Sequence, residues 1–176
     1  SAVLVHGMGD VHPTALKVDI CKQISVMTYE RWGAGIGKTT LSNSGFEAVE
    51  TAMKTAFLAT GKSGVLSFKN AYHGLSYGAL LGGGFEKFRE PFEDQLAPVR
   101  DVLDFPREEE DLKHLASQLR DYDAGNIGAI LVEPIQGRGG DVVPPDGFLK
   151  MLQDWCQANG AMLIFDEIYT GLNRTG

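Results

Sequence analysis

Cysteine is scarce in this chain of 176 residues, with Cys21 and Cys156 alone present. Two cysteines are too few for a disulfide framework, and Cys156 falls on the apolar side of a predicted helix. We therefore expect buried, reduced thiols and a cytoplasmic location. Apolar runs fall short of the roughly 20 residues that cross a bilayer, and the N-terminus lacks a signal-peptide layout.

A basic excess is also missing, because the net charge is −7. Sequence-independent binding to nucleic acid needs a basic face, so we expect neither a nucleic-acid partner nor a membrane partner. Gly-x-Ser-x-Gly and cysteine–histidine nucleophile patterns are absent. His6, Asp10 and His12 lack a recognised ligand spacing, so no metal site is expected. The chain begins without Met, and we expect it to be part of a longer protein.

Glycine, by contrast, is abundant, with 22 residues that gather at loop positions. Short apolar runs predict strands, and apolar residues at helical spacing predict helices between them. The predicted strands cover 39–42, 64–68, 99–105, 129–132 and 162–165. The predicted helices cover 46–60, 109–120 and 148–158, with a less clear helix over 14–31. This alternation predicts an α/β fold with a largely parallel sheet.

Two acids, Asp166 and Glu167, directly follow the predicted strand over 162–165. Ligands of open α/β sheets bind at the carboxyl ends of the strands. A carboxylate at this edge needs a positive partner, because burying an unpaired charge is costly. The sequence alone leaves open whether that partner is a metal, an arginine or a protonated ring nitrogen.

A P-loop nucleotidase is one alternative, since Gly33 to Thr39 ends in Gly-Lys-Thr. The pattern requires glycine where Trp32 stands, a strand before the loop, and a helix that begins at Lys38. The sequence favours none of these three features.

A second candidate phosphate site is better formed. Ser44 and Glu47 have the spacing of a capping box at the start of the helix over 46–60, and Gly45 permits close approach of a ligand. Helix N-termini bind anions. Tyr72, followed by His73 and Gly74 after the second strand, offers an aromatic face. Together with Asp166, these features suit a flat, phosphorylated, heteroaromatic cation such as pyridoxal 5′-phosphate (PLP).

Four motifs carry a resemblance to a known family. They are Ser42-Asn43-Ser44-Gly45-Phe46-Glu47-Ala48-Val49-Glu50, Tyr72-His73-Gly74, Val132-Glu133-Pro134-Ile135-Gln136-Gly137, and Asp166-Glu167-Ile168-Tyr169-Thr170-Gly171 with Arg174-Thr175-Gly176. With these motifs the chain resembles the class III (ω-) aminotransferases among the fold-type I PLP enzymes. The resemblance implies a three-layer α/β/α large domain with helices on both faces of the sheet. Residues 1–37 would form a helical lead-in, and 38–176 the first part of the PLP-binding large domain.

The resemblance also implies roles for individual residues. Asp166 would pair with the pyridinium nitrogen, and Glu133 would belong to the network that supports it. Tyr72, with His73 beside it, and Ile168 would cover opposite faces of the ring. The phosphate would be held by three consecutive residues, Ser44, Gly45 and Phe46.

Three positions depart from the family pattern. Phe46 replaces the usual Ser or Thr, so backbone N–H groups must hold the phosphate there. Tyr169 stands where Gln usually approaches the ring hydroxyl. Arg138 stands where several members carry an acid, and we expect that carboxylate recognition differs here, with Arg138 contacting substrate.

The implied activity is transfer of an amino group from an ω-amino acid, diamine or related amine to a 2-oxo acid. Members of the family are homodimers with the active site at the interface. The Schiff-base lysine would lie outside this chain, so we expect the segment alone to be inactive. Alternatives are a PLP-dependent aminomutase of the same fold, the P-loop ATPase and a non-catalytic binding protein.

Overall fold

The computed structural model describes residues 13–97 and 100–175, and the chain divides into two compact units, Ser1–Ser42 and Asn43–Gly176. The first unit contains helix α1, Ala15–Thr28, followed by a 3₁₀ turn over Glu30–Trp32. The buried Ser25 hydroxyl donates to Oε1 of Glu30 at 2.6 Å and accepts the N–H of Gly37 at 2.9 Å. These two bonds hold the segment after α1 against the helix.

The second unit alternates strands with helices. Its four strands are β1 (Gly64–Phe68), β2 (Arg100–Leu103), β3 (Ile127–Val132) and β4 (Met162–Phe165). Its helices are α2 (Gly45–Thr60), α3 (Tyr77–Gly82), α4 (Glu86–Arg89), α5 (Glu109–Arg120) and α6 (Phe148–Asn159), with a 3₁₀ helix over Glu90–Gln95.

The described strands form one parallel sheet in the order β2-β1-β3-β4. Strands β1 and β3 occupy its centre and are buried at every residue, as expected for strands covered on both faces. Because parallel strands point the same way, the loops after β1, β3 and β4 emerge at one edge. These loops carry the residues that the sequence marks as functional.

Side-chain alternation along the central strands divides the core into two layers. Leu66, Phe68, Ile130 and Val132 pack with residues of α5 and α6 such as Leu115 and Leu152. Val65 and Leu131, which point to the opposite face, pack with Val49 of α2 and Ala79 of α3. The predicted α/β fold, with a largely parallel sheet and helices on both faces, is confirmed.

The predicted strand over 39–42 is wrong. Residues 39–42 are irregular, and no strand within 13–97 or 100–175 pairs with them. Thr39 and Thr40 have high β propensity, but that preference reflects packing on a pleated surface, and this segment has no neighbouring strand among the described residues. The predictions for His6, Asp10, His12 and Val99 concern residues outside the described ranges.

The other predicted elements match to within a few residues at their ends. Among the described residues, no helix has both the length and the apolar character needed to cross a membrane.

Candidate active site

A cavity of about 210 Å³ opens at the carboxyl edge of the sheet. Three loops supply its polar side chains: the turn after β1 carries His73, Glu133 follows β3 directly, and Asp166 follows β4 directly. The backbone N–H of Asp166 still donates to the carbonyl of Val132 at 2.8 Å. This hydrogen bond fixes the Asp166 backbone at the end of the sheet, and with it the point from which the side chain extends.

Asp166 and His73 form a buried pair on the cavity wall. Nδ1 of His73 lies 2.7 Å from Oδ2 of Asp166, and the side chains are 0% and 4% exposed. An ionised carboxylate only accepts, so the imidazole Nδ1–H donates. Oδ1 accepts the backbone N–H of Ile168 at 3.2 Å. The carboxylate is thus oriented on two sides and retains acceptor capacity for a donor in the cavity.

Glu133 connects two backbone segments around the same cavity. Its Oε2 accepts the N–H of Tyr72 at 3.1 Å, and its Oε1 accepts the N–H of Gly137 at 3.3 Å. Burial raises the pKa of Glu133 above its ordinary value, and the nearby Asp166 charge acts in the same direction. The two N–H donors and the charge of His73 oppose this rise.

Small residues let the apolar walls of the cavity approach each other. A Cβ added at Gly45 would lie 2.5 Å from Cδ1 of Ile168, so α2 starts in direct contact with that side chain. Gly74 adopts a φ of 114°, and a Cβ there would lie 2.5 Å from Cβ of Phe46. Glycine is needed at position 74 for both its conformation and its close contact.

The Tyr72 ring is held from two directions. Phe88 of α4 packs edge-on against it, with ring centroids 5.9 Å apart. The guanidinium carbon of Arg138 lies 4.1 Å from its centroid, which is a cation–π contact. A Cβ on Gly137 would lie 3.2 Å from Cδ2 of Tyr169, which places the Tyr169 ring against the loop that carries Arg138.

The N-terminus of α2 differs in detail from the predicted capping box. The Glu47 carboxylate accepts from the Asn43 N–H at 2.8 Å and from the Ser44 hydroxyl at 3.0 Å. Ser44 is the N-cap by backbone conformation, yet its side chain forms no capping bond to the helix backbone. The Ser44 hydroxyl donates to the Glu47 carboxylate. Gly45 and Phe46, the first residues of α2, line the cavity, and the N–H groups of the first turn of a helix have no intrahelical acceptor.

The P-loop alternative does not fit the observed backbone. The segment before Gly33 is helical where a strand is required, and Lys38 is followed by irregular chain where a helix is required. This part of the chain therefore lacks the strand-loop-helix arrangement that wraps a nucleotide phosphate.

Most of the residues marked by the sequence meet at the cavity. Those that line it are Gly45, Phe46, Tyr72, His73, Glu133, Asp166, Ile168 and Tyr169. Ser44 precedes this lining and Arg138 contacts it through Tyr72. Sequence reasoning placed His73 beside Tyr72 but missed its pairing with Asp166. It assigned no role to Ile135 and Thr170, which lie within two of the motifs and line the cavity, and it missed Phe88, whose contact with Tyr72 depends on tertiary packing.

The family described as Aminotransferase class-III matches residues 2–176, nearly the whole chain. The chain belongs to the class III aminotransferases. PLP is the cofactor of this family.

Relatives and a solved structure agree with that assignment. Aminotransferase PigE of Serratia sp. is 45% identical over 141 residues, covering 80% of this chain and 16% of PigE. Acetylornithine aminotransferase of Methanosarcina acetivorans is 34% identical over 191 residues, covering 100% of this chain and 46% of that protein. A PLP-bound amine transaminase from an uncultivated Pseudomonas species superimposes with a TM-score of 0.76 at 29% identity, over 97% of this chain and 41% of that one. The class III chain described here spans less than half the length of each.

Proposed function

We propose that the protein containing this chain is a PLP-dependent transaminase. It moves an amino group from an ω-amino acid, diamine or related amine to a 2-oxo acid. The observation that carries the proposal is the buried Asp166 carboxylate, oriented by His73 and by the Ile168 N–H at a cavity on the carboxyl edge of the sheet. Bound PLP supplies an electron sink, and its ring nitrogen must stay protonated for that role.

The residues present fit such a group. Asp166 supplies a negative charge for the ring nitrogen proton, and the first N–H groups of α2 at Gly45 and Phe46 supply donors for the phosphate. Ser44 completes this phosphate seat as the helix N-cap. Phe46 contributes its backbone only, because its side chain carries no hydroxyl.

The remaining wall residues orient and enclose the ring. Tyr72 and Ile168 both line the cavity and would cover the two faces of the ring. Glu133 holds the Tyr72 backbone, while Tyr169 closes the side next to Gly137. Excluding water from this site strengthens the pairing between Asp166 and the ring cation.

We further propose a cytoplasmic homodimer. Two free cysteines suit a reducing compartment. Trp32 is 72% exposed and Ile36 is 84% exposed, and large apolar side chains at such exposure suit a surface that a partner covers. Sedimentation velocity of the full-length protein tests the oligomeric state, and a monomer at micromolar concentration would contradict it.

The activity is tested with the full-length protein and an Asp166→Asn variant. We expect PLP to bind the wild type with a shifted absorption band, and an ω-amine donor to bleach it and yield the product aldehyde. Asp166→Asn removes the charge beside the ring, so turnover should fall at least about 100-fold. Asp154→Asn, an exposed position on α6, is the matched control and should retain turnover. PLP binding without turnover of any amine donor would contradict the proposal.

A further inference from the structure

Arg138 lies at the tip of a tight hairpin beside the cavity. Gln136 and Val142 exchange two backbone hydrogen bonds at 3.0 and 2.9 Å, and Gly137 accepts from the N–H groups of Gly140 and Asp141. The buried Gln136 side chain donates to the carbonyl of Lys69 at 2.9 Å. These bonds fix the loop on both sides of Arg138.

The Arg138 side chain is held in place by stacking. Its guanidinium lies over the Tyr72 ring, and Glu133 binds the N–H groups of both Tyr72 and Gly137. The Glu133 carboxylate therefore fixes both the backbone of Tyr72 and that of Gly137, the residue before Arg138. Stacking on an aromatic face leaves the N–H groups at the edge of the guanidinium available.

The acidic residues around the cavity indicate a role for the positive charge of Arg138. Within the described chain, the cavity lining includes Glu133 and Asp166 and contains neither Lys nor Arg. No carboxylate of the described residues lies within ion-pair distance of Arg138, which is exposed. An anionic substrate that approaches these two acids needs a compensating cation, and among the described residues Arg138 contacts the cavity wall through the Tyr72 ring.

We propose that Arg138 recognises the carboxylate of the substrate, as a specificity-determining residue held in place by Tyr72. This inference rests on the proposed transaminase function and names the residue that binds the acid group of its 2-oxo acid. The planar guanidinium offers two parallel N–H donors to a carboxylate. A lysine in its place would offer a point charge without that fork.

The test uses full-length protein with Arg138→Gln and Arg138→Lys, and with Arg107→Gln as a control at an exposed position before α5. Two measurements are made. Calorimetry compares binding of butyrate with binding of the uncharged butyramide. Steady-state kinetics compares kcat/KM for a 2-oxo acid with kcat/KM for an amine donor that has no carboxylate.

For Arg138→Gln we expect butyrate affinity and kcat/KM for the 2-oxo acid each to fall about 10- to 100-fold. The amide and the carboxylate-free amine should be unaffected, and Arg138→Lys should be intermediate. Loss of the amine reaction to the same extent would assign Arg138 a structural role and overturn the inference. Unchanged butyrate binding in an active Arg138→Gln enzyme would overturn it while the proposed function stands. If the wild type shows no transamination but Arg138→Gln still weakens butyrate binding, the proposed function fails and carboxylate recognition is supported.

Discussion

At the scale of single residues, the two acids that line the cavity, Asp166 and Glu133, have different hydrogen-bond partners. Asp166 is bonded by an imidazole N–H and one backbone N–H, whereas the hydrogen bonds to Glu133 come from two backbone N–H groups. The Asp166 pair suits a site that meets a ligand cation. Glu133 instead joins the Tyr72 turn to the loop at Gly137, so its effect on a ligand passes through those segments.

The pH dependence of stability tests this account of Glu133. Its pKa is raised in the folded protein from an ordinary value of 4.5, chiefly by burial. The folded state therefore holds this proton more tightly than the unfolded state does. The resulting stabilisation is complete below pH 4.5 and is lost as the pH rises through the raised pKa.

We expect the free energy of unfolding of the wild type, minus that of Glu133→Gln, to decrease as the pH rises from about 4.5. The glutamine cannot ionise, so it lacks this dependence. Urea denaturation of both proteins at a series of pH values measures the difference. A difference that stays constant, or that increases with pH, would show that burial does not dominate at Glu133.

At the scale of elements, the spacing of apolar residues predicted correctly those helices whose ends are set by nearby residues. The helix α5 matches its prediction at both ends, and α6 ends within one residue of its prediction, where Gly160 adopts a φ of 60° that favours glycine. The same spacing did not predict α3, α4 or the 3₁₀ helix over Glu90–Gln95. These helices are short, and their positions depend on tertiary bonds such as that from Arg89 to the carbonyl of Leu80.

The same distinction holds for the candidate site. Strand ends and glycines allowed the sequence to indicate Asp166, Tyr72 and Gly45, because the edge of a parallel sheet gathers them. The His73–Asp166 pair joins residues 93 positions apart, and the Arg138–Tyr72 contact depends on a hairpin conformation. Neither contact has a periodic signature, so neither was predictable from spacing.

Helices α5 and α6 are joined by one hydrogen bond that can be removed alone. Nε1 of Trp155 donates to the carbonyl of Leu119 at 2.8 Å. That carbonyl lies in the last turn of α5, where no intrahelical donor follows. Trp155→Phe keeps an aromatic ring against Tyr122 but removes the donor.

We expect Trp155→Phe to lower the free energy of unfolding by about 1–2 kcal/mol. Chemical denaturation followed by circular dichroism measures this loss. Gln157→Ala is the control, because Gln157 is exposed on the same helix and its replacement should change the stability by less than about 0.5 kcal/mol. Equal effects of the two substitutions would mean that the helix-to-helix bond contributes nothing measurable.

At the scale of the whole molecule, the sheet separates two packed layers, and the larger one contains Cys156. This thiol is 3% exposed within the cluster formed by α5, α6 and one face of the sheet. Burial raises its pKa to about 11. At pH 8 on the order of one molecule in a thousand then carries the reactive thiolate. Labelling of Cys156 therefore requires opening of the core, while the half-buried Cys21 of the other unit has no such requirement.

Thiol counts with a disulfide reagent test this separation in the full-length protein. We expect Cys156→Ala to give the same count as the wild type under native conditions and one thiol fewer in denaturant. Cys21→Ala is the matched control and should lose its thiol in both conditions, because part of that side chain is accessible in the folded unit. The layer around Cys156 also packs against β3 and β4, and Glu133 and Asp166 directly follow these strands. Labelling of Cys156 under native conditions would mean that the core beneath the cavity opens without global unfolding. The orientation of the Asp166 carboxylate would then not be set by the sheet.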